Sequence, residues 1–231
     1  MTSSIPLAQA ASFYKTALGK KTVMAVTGVV GFGFVIGHLL GNLQFFLGPD
    51  VLNEYAASLR RQPGLLLLAR ATLLAAVLLH LIAALQLTMQ NSAARPRAYR
   101  AWTPGKSTFA SRTMKWSGLL LLFFIAYHLL HLTFGVVHPN FKHGPGGVPD
   151  AYHNVVAGFS SIPVSLAYIA AMICLGFHLS HGVWSMFQSI GWNHPRYMPI
   201  VRKLAVLAAI LIVLGNISIP ISVLLGFHDE L

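Results

Sequence analysis

The chain has 231 residues, of which 55% are hydrophobic and only 9% are charged, whereas an ordinary soluble domain carries charge on roughly a quarter of its residues. This composition excludes an ordinary water-soluble domain and favours a protein whose solvent is the lipid bilayer. The 16 Lys and Arg against five Asp and Glu could indicate a nucleic-acid partner, but they stand between apolar stretches, where membrane topology explains them better.

Five apolar stretches are each long enough to cross a membrane, which takes about 20 residues of helix. They cover roughly residues 22–47, 64–90, 113–137, 161–188 and 201–227. Turn-forming Gly and Pro residues separate them, and we predict a single all-α domain over residues 1–231, a membrane bundle of five helices. We expect no cleaved signal peptide, because the first charges come late and no short apolar run with a cleavage site follows them.

The basic residues predict the orientation of the five helices, because positively charged loops stay in the cytoplasm. Twelve of the 16 lie on the side of the N-terminus, and all five acidic residues lie on the opposite side. The four basic residues on that opposite side are Arg60, Arg61, Arg70 and Lys142. The N-terminus is therefore predicted to be cytoplasmic and the C-terminus outside, with Trp102, Trp116, Trp184 and Trp192 in the cytoplasmic half.

Six of the 11 histidines lie inside the predicted spans, where an ionisable residue is costly and usually functional. They are His38, His80, His128, His131, His178 and His181. A lone histidine is as readily explained by a hydrogen bond to a neighbouring helix, but four of the five spans carry at least one. The pattern therefore indicates a functional site.

Depth in the membrane sorts these histidines into two levels, because a helix rises about 1.5 Å per residue. His38 and His128 lie about 25 and 20 Å from the cytoplasmic ends of their spans, in the outer half. His80 and His178 lie about 24 Å from the outer ends, in the inner half. Two haems stacked across a membrane need such level pairs, each iron taking an imidazole from either side. Spacing alone does not choose between His128 and His131, or between His178 and His181, since residues three apart share a face.

Glycine near His38 is consistent with a flat ligand. Gly31 lies two turns before His38 on nearly the same face, and without a side chain it lets a porphyrin approach the backbone. Gly135 lies seven residues beyond His128 and Gly182 follows His178. Helix packing through small residues is an equally good interpretation, which Gly33, Gly37 and Gly41 also satisfy. Because the chain has one cysteine, Cys174, and no C-x-x-C-H motif, any haem is expected to be non-covalent.

Two sequence strings carry a resemblance that covers essentially the whole chain. FHLSHGVWSMFQSIGW at 177–192, FIAYHLLHL at 124–132 and the 42-residue interval from His38 to His80 are similar to the cytochrome b558 family, the membrane anchor of succinate dehydrogenases and fumarate reductases. The resemblance implies that His38, His80, His128 and His178 are the axial ligands of two haems b, helix I pairing with III and helix II with IV. His131 and His181 are then contacts of the ligands or haem propionates, with core packing as the alternative.

The same resemblance implies a function in the respiratory chain and the tricarboxylic acid cycle. The anchor passes electrons between an iron–sulfur subunit and membrane quinone, and a flavoprotein on the cytoplasmic face oxidises succinate. Without a dinucleotide fingerprint or a cysteine cluster, this chain is not expected to oxidise succinate itself. The implied location is the cytoplasmic membrane of a bacterium.

Arg70 suggests where the quinone reacts. It lies about 9 Å inside the outer end of helix II, where it could neutralise a haem propionate or a quinone oxygen; the alternative is that it reaches the outer headgroups. We expect quinone near the outer haem, with menaquinone as the acceptor. No carboxylate lies within a span, so the protons are expected to come from outside.

Three further alternatives concern other chemistry. The loop 138–160 contains His138, His143 and His153, which could bind a metal, although a solvated loop with an interfacial helix near 150–159 is the expected structure. The chain could anchor a different oxidoreductase, of the nitrate reductase type. A histidine-based metal or proton transporter would need helices broken near mid-membrane, whereas Pro163 and Pro220 lie near helix ends.

Overall fold

The structure is a computed structural model that describes residues 5–94 and 107–228. Its helices are α1 (Ile5–Lys15), α2 (Ala17–Asn42), α3 (Pro49–Arg60), α4 (Pro63–Ala93), α5 (Phe109–His128), α6 (Ala151–Phe159), α7 (Ile162–Ser189) and α8 (Met198–Leu224). A 3-10 turn (Leu43–Leu47) extends α2, and a π-helical turn (Leu129–Thr133) extends α5. The described residues form no β-strand apart from one isolated bridge between His143 and Pro149.

Five helices are long and apolar enough to cross a membrane, which confirms the predicted all-α bundle. They cover Ala17–Leu47, Pro63–Ala93, Phe109–Thr133, Ile162–Ser189 and Met198–Leu224. Proline in the first turn begins four of the eight helices, α3, α4, α7 and α8, because its fixed φ suits that position and its missing N–H is not needed there. Many large apolar side chains remain exposed, as expected of a surface that faces lipid.

The short helix α1, which the sequence prediction missed, is docked against the start of α2. The Thr16 side chain accepts a hydrogen bond from the Gly19 N–H at 2.9 Å and so caps α2. The ammonium group of Lys20 donates to the carbonyls of Tyr14 and Lys15 at the end of α1. The Tyr14 hydroxyl also donates to Gln86 of α4 at 3.0 Å.

The bundle consists of two helical hairpins and a fifth helix. Helix α2 packs on α4, and α5 packs on α7; contacts of α2 with α7 join the two hairpins, and α8 packs on α7 and α2. Among the described helices, α2 and α5 do not pack closely on each other, and α4 and α7 do not either. These two helix pairs instead meet through the histidine rings described below.

The end of the bundle that was predicted to be outside is closed by α3 and α6, which pack on each other. The Asn53 side chain donates to Asp150 at 3.0 Å and accepts from the Tyr152 backbone N–H at 3.0 Å. Helix α6 confirms the predicted short helix near 150–159. The expectation of a solvated loop before it is wrong for His138, which is only 5% exposed; its ring stacks on His131 and donates to the Asn154 carbonyl at 2.9 Å.

Candidate functional site

Four of the histidines form two facing pairs between the hairpins. His38 of α2 faces His128 of α5 with ring centroids 5.8 Å apart and ring planes at 82°; we call these two the outer pair. His80 of α4 faces His178 of α7 at 6.4 Å and 54°; we call these two the inner pair. These are the pairings that helix depth predicts, so each hairpin contributes one histidine to each pair.

The structure also separates the histidines that spacing alone could not distinguish. His131 lies in the π-helical turn, where its ring stacks on His138 at 4.7 Å between centroids. His181 packs edge-on against Trp184 at 4.9 Å, and its buried Nδ1 has no hydrogen-bond partner among the described residues. His128 and His178 are therefore the members of the facing pairs, in agreement with the choice that the family resemblance implies.

Two hydroxyl groups fix the ring orientation of the inner pair. Thr27 Oγ1 lies 3.1 Å from His80 Nδ1 and Ser117 Oγ lies 3.1 Å from His178 Nδ1. Each hydroxyl donates its own proton to a main-chain carbonyl of its helix, Thr27 to Val23 at 2.7 Å and Ser117 to Met114 at 3.1 Å. Each imidazole Nδ1 must then be the donor to the hydroxyl oxygen, which leaves Nε2 with a free lone pair. A histidine that binds a metal is held in the same way.

The hydroxyl groups belong to a repeated pattern that the sequence analysis missed. Thr27 lies 11 residues before His38, and Ser117 lies 11 residues before His128. A glycine follows each of these two hydroxyl residues, Gly28 and Gly118. A Cβ added at Gly28 would lie 3.7 Å from the His80 ring, and one added at Gly118 would lie 3.7 Å from the His178 ring. The first helix of each hairpin thus carries an outer histidine and the support for an inner one.

The spacing within each pair fits a haem. Metal–imidazole bonds are about 2 Å long, so two imidazoles on opposite sides of one iron place their centroids about 6 Å apart, and the observed 5.8 and 6.4 Å lie on either side of that value. A Cβ added at Gly31 would meet nothing within 4 Å, so the backbone near His38 is open to a flat group. Among the described residues no cluster of three or more His, Cys, Asp or Glu could bind a metal ion on its own, which gives no support to a metal site in the 138–160 loop.

The remaining glycines had two interpretations: they leave room for a flat ligand, or they allow helices to pack closely. Gly33 and Gly37 have nothing within 4 Å of an added Cβ, so packing on another described helix does not explain them. Gly41 does pack closely, because its Cβ would lie 2.5 Å from the Tyr55 hydroxyl. Gly135 has a φ of +70° and lies against Phe141, so its lack of a side chain is explained by a turn.

Arg70 lies on the exposed surface of α4, seven residues after the start of that helix. The pKa of nearby Arg60 is lowered by burial and by the positive charge of Arg70. Arg70 is ten residues before His80, and Tyr168 is ten residues before His178. The two residues therefore occupy equivalent positions in the two hairpins, and Tyr168 contacts the outer pair.

Comparison with known proteins gives one match. The family model described as succinate dehydrogenase/fumarate reductase transmembrane subunit matches residues 89–215, more than half of the chain. The match includes His128 and His178 but leaves out His38 and His80, so it covers one histidine of each pair. No curated protein and no solved structure matches the chain. This multi-pass membrane protein therefore belongs to the family of transmembrane subunits of succinate dehydrogenase and fumarate reductase.

Proposed function

We propose that this chain is the di-haem cytochrome b anchor of its complex, transferring electrons between the iron–sulfur subunit and membrane quinone. The observation that carries the proposal is the two facing histidine pairs, 5.8 and 6.4 Å between ring centroids. A haem bound at each pair would supply a one-electron redox centre. The residues that would hold the two groups are His38 with His128 and His80 with His178.

The protein's part in this function is to orient the imidazoles and exclude water. Thr27 and Ser117 hold the inner rings with Nε2 directed away from the hydroxyls. Phe34 stacks on His38 at 5.2 Å and Phe124 lies 5.9 Å from His128, so apolar rings surround the outer pair. Apolar surroundings and fixed ligand orientation are the means by which a protein tunes such a site.

The catalytic partners follow from the family, whose members are the membrane subunits of succinate dehydrogenase and fumarate reductase complexes. We place the flavoprotein and the iron–sulfur subunit at the basic face of the bundle, and we place that face in the cytoplasm of a bacterium on the basis of the Lys and Arg distribution. The acidic residues Asp50, Glu54 and Asp150 then lie outside. The chain does not act on succinate by itself.

We further propose that quinone, as menaquinone, reacts near the outer pair and that Arg70 assists it. An electron that passes from the cytoplasmic to the outer face moves toward the positive side and gains up to about 2.3 kcal/mol per 100 mV. Succinate oxidation by a low-potential quinone would then depend on the membrane potential.

A protonophore added to sealed vesicles should slow oxidation through native quinone but not through a water-soluble dye that accepts electrons on the cytoplasmic side. Equal rates with and without the protonophore would contradict the outer site.

The di-haem assignment is tested by a haem count. The purified complex should contain two haems b per chain, with a reduced-minus-oxidised spectrum that resolves into two components. His80→Ala should remove the inner component and leave the outer one. His143→Ala is the matched control, because His143 is exposed in the loop and touches only Phe141 among described rings. A colourless wild-type protein, or an unchanged spectrum in the His80 variant, would overturn the proposal.

A further inference from the structure

On the basis of the proposed function, we propose that Tyr168 is a positioning residue for the outer pair. Its hydroxyl accepts a hydrogen bond from Nδ1 of His128 and donates one to Nδ1 of His131, so that His128 presents Nε2 to the iron. Tyr168 has the role at the outer pair that Thr27 and Ser117 have at the inner pair. Neither the family match nor the family resemblance assigns a role to this tyrosine.

The geometry places one hydroxyl between two imidazoles. Tyr168 Oη lies 2.9 Å from His131 Nδ1 and 3.4 Å from His128 Nδ1, and Tyr168 is only 6% exposed. A phenol has one proton to donate, so it can donate to one ring and must accept from the other. Since a ligand to iron needs the lone pair of Nε2, the proton of His128 is on Nδ1, and the phenol proton then goes to His131.

His131 is held rigidly enough to act as the fixed acceptor. Its ring lies between Tyr127, stacked at 5.4 Å and 9°, and His138, stacked at 4.7 Å and 15°. A Cβ at Gly158 would lie 2.8 Å from the His131 ring, so this glycine is needed for the close approach of α6. His131 lies in a π-helical turn, a feature that is frequent at functional sites.

The outer pair differs from the inner pair in what orients its supporting hydroxyl, which explains why a further histidine, His131, is needed. Thr27 and Ser117 donate to carbonyls of their own helices, so the helix itself orients those hydroxyls. The Tyr168 hydroxyl lies at the end of a long side chain, and His131 takes its proton instead. The equivalent position in the other hairpin holds Arg70, which is not a phenol, so His38 has no tyrosine at the position that Tyr168 occupies for His128.

The first test compares Tyr168→Phe with Tyr127→Phe in the complete complex. Both variants remove a phenol oxygen from the same cluster, but the hydrogen bonds of the described residues do not include the Tyr127 hydroxyl. Tyr168→Phe should keep two haems and raise the midpoint potential of the outer one, because an imidazole that loses its acceptor is a less basic ligand. The low-field electron paramagnetic resonance signal of the outer haem should shift as well, and the inner haem should be unchanged.

Two outcomes would overturn the inference: an outer haem in Tyr168→Phe with wild-type potential and resonance, or an equal shift in Tyr127→Phe. If Tyr168→Phe does not accumulate, His131→Gln and His131→Leu decide the question, since glutamine keeps an acceptor for the phenol and leucine does not. The outer potential should shift in the leucine variant and stay closer to the wild-type value in the glutamine variant; equal shifts would refute the inference. Wild-type protein without haem would instead refute the proposed function.

Discussion

Replacing Thr27 with valine should loosen the inner haem selectively. Valine has nearly the shape of threonine but cannot accept the Nδ1 proton of His80, which now bonds to the hydroxyl at 3.1 Å. Thr27 is 8% exposed, so water does not readily replace the lost oxygen. An unsatisfied buried donor costs about 1–3 kcal/mol, which corresponds to roughly 5- to 150-fold in affinity. This agrees with the 10- to 100-fold effect typical of groups that support a metal-binding histidine.

The outer haem should be unaffected, because Thr27 and His38 are separated by about 16 Å along α2. The assay is the transfer of haem from the detergent-solubilised complex to excess apomyoglobin, followed separately at the inner and outer absorbance components. The inner component should be lost faster, since affinity changes act mainly on dissociation. Thr22→Val is the control, because among the described residues the Thr22 hydroxyl bonds to the Leu18 carbonyl alone. Equal rates of haem loss in Thr27→Val and Thr22→Val would refute the hydrogen bond from His80 Nδ1 to Thr27 as a support of the inner haem. Ser117→Ala should behave like Thr27→Val.

Three further outcomes are expected. Gly158→Ala should weaken the outer haem and lower the thermal unfolding midpoint, because the added Cβ lies 2.8 Å from His131 and overpacking costs about 1–3 kcal/mol; Gly64→Ala, at the exposed start of α4, meets nothing within 4 Å and should do neither. Arg70→Leu should slow succinate oxidation through native quinone but not through a cytoplasmic dye, and full activity with quinone would remove Arg70 from the mechanism. Neutralising basic residues of the segment 95–106, outside the described residues, should weaken co-purification of the soluble subunits, whereas neutralising Arg61 should not; unchanged assembly would leave the segment a topological role only. The residues to neutralise are Arg95, Arg97, Arg100 and Lys106.

The sequence predicts the five spans and the two pairings because hydropathy and helix rise are properties of single segments. Predicting which histidines lie at the same depth required only the direction of each span and the helix rise of about 1.5 Å per residue. Hydropathy does not predict helix α3, because its polar residues Asp50, Asn53 and Glu54 keep it from being a span. The burial of His138 depends on α6 and on the turn at Gly135, which the loop sequence alone does not show.

The hydroxyl supports could not be assigned from individual helices. Thr27 and His80 are 53 residues apart, and Ser117 and His178 are 61 residues apart, so no local pattern joins either couple. Threonine and serine in apolar helices usually bond to their own carbonyls, which both residues also do. Aligning the first helices of the hairpins on their histidines would have revealed the shared hydroxyl-glycine position, although not its purpose.

The placement of each histidine pair across the two hairpins has a consequence for how the subunit matures. Helices α2 and α5, and likewise α4 and α7, are joined by their facing rings more than by backbone packing. A prosthetic group that binds both rings of a pair therefore fastens one hairpin to the other at two heights. Neither hairpin has both histidines of a pair, so in the proposed di-haem protein the outer site would first be complete after insertion of α5 and the inner site after insertion of α7. Without those groups, a newly made subunit would lack two links between its hairpins, which would make it a substrate for quality-control proteases.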